Sequence, residues 1–236
     1  MLKPLVGVIA TCYVLMVGDN SLCAQAVLYS ISQAADAQAQ NLLWEINPSN
    51  GAVVQQYQVS LPRVNGLIYG IGGLTFAQGN LWAVSQAADA QAQNLLWEIN
   101  PSNGAVVHQF QVSLPRVNGL IYGIGGLTFA QGNLWAISQA ADAQAQNLLW
   151  EINPSNGAVV HQFQVSLPRV NGLIYGIGGL TFAQGNFWAI SQAADAQAQN
   201  LLWEINPANG TVVHQFQVNL PRVNGLIYGV GGLTSN

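Results

Sequence analysis

A unit of 53 residues, repeated almost without change, constrains this chain more than any other feature. Residues 72–124 read GGLTFAQGNLWAVSQAADAQAQNLLWEINPSNGAVVHQFQVSLPRVNGLIYGI. The unit returns at 125–177 with one change, Val84 becoming Ile137, and again at 178–230 with five further changes. Residues 27–71 supply most of a fourth copy. A fixed period of this length signals an architecture in which each copy buries its apolar faces against its neighbours.

Within one copy four short segments stand between turn signals: Gly72–Ala77, Leu81–Ser85, Asn94–Ile99 and Ala105–Val112. They are rich in Val, Ile, Phe and Trp and are spaced as the strands of an all-β protein. Gln78-Gly79-Asn80 and Asn100-Pro101-Ser102-Asn103-Gly104 supply the reversals, because Pro presets φ and Asn-Gly tolerates positive φ. Only AADAQAQ has helical propensity, and it lacks an apolar face. Apolar side chains alternate onto both faces: Leu95, Trp97 and Ile99 on one, Leu96 with Glu98 on the other. A sheet covered on both sides is implied. Four antiparallel strands covered by copies of themselves describe a propeller blade. The Gly- and Thr-rich first segment suits the crowded axis.

The expected fold is therefore an all-β, four-bladed β-propeller. The blades are 27–71 plus 231–236, then 72–124, 125–177 and 178–230. Val27–Ser32 matches the second strand of a blade and Gly231–Ser235 matches the first. The ring is expected to close by pairing these two segments, which also covers strand edges that would otherwise template aggregation. A monomeric ring is favoured over a domain-swapped pair forming one eight-bladed ring.

Residues 1–26 read as a signal peptide, with Lys3 in a positive n-region, an apolar run from Leu5 to Val17, and Ala24-Gln25-Ala26 before the expected cleavage point. The mature chain, residues 27–236, would be secreted or periplasmic and would have no membrane span after removal of the leader. Both cysteines, Cys12 and Cys23, lie in the leader, so the rest of the chain has no thiol chemistry. Only 6% of residues are charged and the net charge is −4, which gives no basic face for nucleic acid.

The segments GLTFAQGNLWAIS, LLWEINPSNGAVV and SLP resemble the NHL, TolB-like and YncE-like propeller repeats of secreted bacterial proteins. That resemblance covers all four copies and implies the propeller fold. The present unit departs from it in length, with the excess in Gln86–Gln93 and Arg116–Ile124. Propeller enzymes of the lyase or lactonase kind resemble this fold too, and they gather carboxylates and Asn around an axial metal. The inner GGLTFA strands carry no carboxylate, His or Asn.

Strand order puts the two long connections on one face, here termed the top, where repeat copies form rings. One ring is Asp36, Asp89, Asp142 and Asp195; a second is Arg63, Arg116, Arg169 and Arg222; a third is Tyr69, Tyr122, Tyr175 and Tyr228. Loops on a rigid scaffold commonly carry function. Aromatic, Arg and Asp groups among many neutral amides suit a glycan or a cell-surface partner. The bland alternative is that Arg and Asp pair between loops with Tyr packed beneath.

Glu45, Glu98, Glu151 and Glu204 stand mid-strand beside a tryptophan. They are expected to make blade-to-blade hydrogen bonds, with Arg the cation available to pair a buried carboxylate. His108, His161 and His214 have Gln55 as their counterpart in the first copy, which argues against a fourfold ligand role. No cofactor, metal spacing or catalytic triad is apparent. Near-identical blades offer repeated equivalent sites, as multivalent attachment needs, whereas chemistry commonly needs one asymmetric constellation. A multivalent binding module is the leading expectation. A structural element assembling by blade exchange and a lyase- or lactonase-like enzyme are the alternatives.

Overall fold

The computed structural model describes residues 9–14, 27–33, 40–62, 70–86, 93–115, 123–140, 146–168, 176–192, 200–218, 220 and 230–233. These form four antiparallel four-stranded sheets arranged as the blades of a β-propeller. The first blade holds β1 (Ile9–Val14), β2 (Val27–Ser32), β3 (Asn41–Ile46) and β4 (Val53–Val59). The second holds β5 (Ile71–Ala77), β6 (Asn80–Ser85), β7 (Asn94–Ile99) and β8 (Val106–Val112). The third holds β9 (Ile124–Ala130), β10 (Asn133–Ser138), β11 (Asn147–Ile152) and β12 (Val159–Val165). The fourth holds β13 (Ile177–Ala183), β14 (Asn186–Ser191), β15 (Asn200–Ile205) and β16 (Val212–Val218).

The turn chemistry acts as the sequence implies. Gln78 and Gly79 have φ of 52° and 85°, so two consecutive left-handed residues reverse β5 into β6. Such a turn matches the twist of the strands it joins. At the outer hairpin Gly104 takes φ +70°, and its N–H donates to Asn100 O at 2.9 Å. Asn100 Oδ1 accepts from Ser102 N and Asn103 Oδ1 from Ala105 N, each at 2.9 Å. These short side chains satisfy the turn's own backbone donors.

Innermost position for the first strand follows from its glycines. A Cβ on Gly73 would lie 2.6 Å from Leu127 N, and one on Gly126 would lie 2.5 Å from Leu180 N. Backbones of adjacent inner strands meet with no room for a side chain, which only glycine permits. The cores lie between blades. One joins Trp82, Val84 and Leu96 to Leu134, Leu148 and Trp150, and its equivalent joins Trp135, Ile137 and Leu149 to Phe187, Leu201 and Trp203. The third joins Ile31, Leu43 and Val59 to Leu81, Leu95 and Trp97. The tryptophans thus fill the space between blades, but not evenly. Trp82, Trp97, Trp135, Trp150 and Trp203 are buried, whereas Trp44 and Trp188, both at the junction of the fourth and first blades, are only half-buried.

The closing device differs from the expectation. The inner strand paired to β2 is β1, in register from Ile9↔Ser32 to Val14↔Val27, not residues 231–235. Val230–Leu233 form no strand but lie at the axis, anchored by Val230 N–H donating to Gln192 O at 2.9 Å. A Gly-Gly opening does not itself prevent a strand, since β5, β9 and β13 carry it too. The physical reason is occupancy: β1 takes every inner-edge position of β2 from Val27 to Ser32 and so leaves the C-terminal copy only the place at the axis. Residues 15–26, including the expected cleavage point, lie outside the described residues.

Candidate functional site

The antiparallel order separates the two ends of each blade. Turns at 78–79 and 100–104 mark the bottom, and the connections that follow Ser85 and Val112 leave from the top. All twelve residues of the Asp, Arg and Tyr rings lie outside the described residues. Described instead are the stems from which those connections spring.

Each stem is tied by the same Ser–Asn latch. Asn94 Nδ2 donates to Ser85 O at 2.9 Å, and Leu95 N–H donates to Ser85 Oγ at 2.9 Å. The arrangement recurs at Asn41/Ser32, Asn147/Ser138 and Asn200/Ser191. These asparagines are almost fully buried, so the amide is spent on the backbone and holds the strand ends together. Farther out, Gln93 Nε2 donates to Ser113 Oγ at 3.1 Å, linking the two connections of one blade. Pattern reading alone missed the latch, because a Ser and an Asn nine residues apart look like ordinary loop polarity.

Toward the axis the tops of the blades are joined by glutamine amides. Gln33 Nε2 donates to Gln86 Oε1 at 3.1 Å, Gln86 to Gln139 at 3.1 Å, and Gln139 to Gln192 at 2.9 Å. Backbone bonds join the same neighbours in the opposite sense: Ile71, Ile124, Ile177 and Val230 N–H donate back to the carbonyls of Gln33, Gln86, Gln139 and Gln192. Below this amide chain the axis is nearly filled. Its two cavities measure about 20 and 10 Å³ and are lined by Gly, Ile and Leu together with the glutamines. A volume of that size holds about one water molecule, not a substrate.

The larger concavity, about 610 Å³, opens at the bottom between the second and third blades. Trp82, Glu98, His108 and Phe110 form one wall, and Asn133 with Asn153 the other. The glutamates are satisfied here within their own blade, which corrects the expected blade-to-blade bond and Arg partner. Asn80 Nδ2 donates to Glu98 Oε1 at 2.6 Å, and His108 Nδ1 lies 2.6 Å from Glu98 Oε2. An ionised carboxylate only accepts, so Nδ1 carries the proton. The reason is register: Glu98 pairs directly with His108 across β7 and β8. The third and fourth blades repeat the cluster as Asn133, Glu151, His161 and as Asn186, Glu204, His214. The hydrogen bond from His214 holds the Glu204 carboxyl below its usual value against an opposing contribution from desolvation, and Asn186 assists.

The first blade lacks the cluster, having Val27 and Gln55 in place of Asn and His. Beside Glu45, burial first and then the charges of Glu45 and Tyr57 push the Tyr29 hydroxyl upward. Aromatic stacking backs the clusters: Trp82 on Phe110, Trp135 on Phe163 and Trp188 on Phe216, with centroids 6.4, 6.1 and 6.1 Å apart. In each of the three clusters both carboxylate oxygens are hydrogen-bonded, one to Asn and one to His.

No protein-family model matches the sequence, and no curated protein sequence matches it. Solved structures share the fold. A GH43 glycoside hydrolase with an engineered active site, displaying endo-xylanase and exo-arabinofuranosidase activity, aligns with TM-score 0.64 and 11% identity over 95% of this chain and 44% of its own. The Bacteroides ovatus xyloglucan-locus GH43B gives 0.60 and 14% over 92% and 41%, and a GH43_1 enzyme from Xanthomonas citri gives 0.56 and 9% over 89% and 74%. The chain therefore spans less than half the length of the first two. At these identities the likeness is one of fold.

Proposed function

We propose that this protein is an exported binding module of the NHL-like kind, which recognises a glycan or a cell-surface partner multivalently through its top-face connections. Asp36, Asp89, Asp142 and Asp195, with Arg63, Arg116, Arg169 and Arg222 and with Tyr69, Tyr122, Tyr175 and Tyr228, are the contacts proposed. The observation carrying this reading is the identity of the stems. The Ser–Asn latch ties the base of the top connection in all four blades, so connections of one sequence spring from equal stems around one axis. Equal sites on a rigid ring add weak contacts through effective concentration. The nearly filled axis favours a loop-borne function over chemistry in a central cavity. Retention of envelope polysaccharide by the native chain, compared with an Arg116→Ala/Arg169→Ala variant of equal thermal stability, tests it. Equal retention by both counts against the top face.

Assembly by blade exchange is the second reading, favoured by one observation: the half-buried Trp44 and Trp188 mark the fourth-to-first junction as the less tightly packed one. Light scattering separates the two, since a monodisperse monomer is incompatible with exchange.

A further inference from the structure

The outer rim of the ring is open at one seam. At three junctions the first valine of an outer strand shares a core cluster with an aromatic residue on the outer strand of the preceding blade. These are Val106 with Tyr57, Val159 with Phe110 and Val212 with Phe163. Their counterparts where the fourth blade meets the first are Val53 and Phe216, which are 57% and 46% exposed. The turn glycines show the same gap. A Cβ on Gly104, Gly157 or Gly210 would lie 2.8, 2.7 or 2.9 Å from the Cβ of Tyr57, Phe110 or Phe163, whereas one on Gly51 meets no described atom within 4 Å.

The strand beside this opening, β4, is the least covered of the four outer strands. Five of its seven residues are exposed, against three in β8 and in β12 and four in β16. It ends its sheet, so alternate residues turn N–H and C=O groups away from β3, with no strand beyond them among the described residues. Such edges are ordinarily blunted by Lys, by Pro or by brevity. β4 reads VVQQYQV, seven residues with no charge, no Pro and no Gly. That composition favours pairing with a like strand. The bulge opposite Glu45 and Ile46 falls at its first residues and leaves Gln55–Val59 in regular register. β8, β12 and β16 carry His108, His161 and His214 where β4 has Gln55, so β4 alone has no group that becomes cationic.

We propose that β4 and the adjoining seam form a docking surface for a second copy of this chain, with the two β4 strands paired antiparallel about a two-fold axis. A strand edge is met main chain to main chain by another strand edge. The β4 of a second copy matches in length and brings no charge against its twin. With Gln56 on the axis, Val54 stands opposite Gln58 and Gln55 opposite Tyr57, so every facing pair is neutral. The two-fold axis is perpendicular to the joined sheet, which puts the open seams of both copies on one side of it. Val53 and Phe216 of each copy then leave water together. The contact stays below the ~1,200 Å² of a stable complex, so its dissociation constant is expected on the order of 0.1 mM. No segment changes places, so this pairing is distinct from blade exchange and independent of glycan recognition.

Sedimentation equilibrium of the full-length chain tests it, in reductant so that Cys12 and Cys23 form no links. A monomer–dimer equilibrium that reverses on dilution is the expected result. Val54→Lys/Gln58→Lys, which sets two Lys on each facing edge, should weaken association at least ~10-fold through like-charge repulsion. Val160→Lys/Gln164→Lys makes the same change on β12 and should leave association unaltered. Hydrogen exchange of the native chain gives a second reading that needs no variant to fold. Amides within Val53–Val59 should gain protection as concentration rises, and those within Val159–Val165 should not. A chain that stays monomeric to about 1 mM, well above the expected constant, overturns the inference. So does mass beyond the dimer, association indifferent to the β4 change, equal loss from the β12 change, or protection that rises alike on both strands.

Discussion

Trp150→Ala should destabilise the ring more than the chemically identical Trp44→Ala. Trp150 is 1% exposed in the core joining the second and third blades. Its Nε1 donates to Gln162 Oε1 at 3.0 Å and to Pro115 O at 3.2 Å, the latter in the preceding blade. Truncating a fully buried tryptophan costs ~3–5 kcal/mol through lost burial and the cavity left behind. Trp44 stands at the equivalent place in the first blade but is half-buried, and its Nε1 donates to the exposed Gln56 at 2.9 Å. Between about two thirds and nine tenths of its area is removed from water, so scaling with that area gives ~2–4 kcal/mol. The difference, about 1 kcal/mol, corresponds to a separation of ~0.3–1 M in urea midpoints for slopes of 1–3 kcal/mol/M. Trp150→Phe, which keeps most of the area, should fall between the two. Equal midpoints for Trp150→Ala and Trp44→Ala would mean that the blade junctions are energetically alike, and the argument from unequal burial would fail.

Gly126→Ala should lower the melting temperature more than Gly132→Ala. The first places a Cβ against backbone, costing at least ~1–3 kcal/mol of overpacking, whereas the second meets nothing within 4 Å and bears only the ~1–2 kcal/mol strain of its φ of 85°. Asn94→Ala should cost ~1–2 kcal/mol by leaving Ser85 O without the amide donor, and should speed proteolysis between residues 86 and 93; an unchanged cleavage rate would show that the latch does not govern the loop. Because the folded-state Glu204 carboxyl titrates below its ordinary value, its contribution is present above the ordinary carboxylate range and is lost as pH falls through the folded value. Glu204→Gln should therefore flatten the acid side of the stability–pH profile, and an unaltered acid limb in urea titrations would contradict that.

The period, the strands and the axial place of GGLTFA were legible because they depend on local chemistry. Alternation shows two buried faces, Asn-Pro-Ser-Asn-Gly shows a reversal, and paired glycines show a place with no room for side chains. Glu98 was readable as a buried carboxylate needing a partner, but not as the partner of His108. That depends on cross-strand register, which the bulge between Glu98 and Ile99 helps set. The Ser85–Asn94 latch was hidden for the same reason, since its two residues meet only when β6 and β7 pair.

The sequence by itself determined four blades of one design, because a repeated pattern of burial can be satisfied only by stacking copies. Which segment completes the first blade was decided by tertiary structure alone. Only the packing around β2 and the axis distinguishes residues 9–14, which hold the ladder, from residues 230–233, which hold the place beside it.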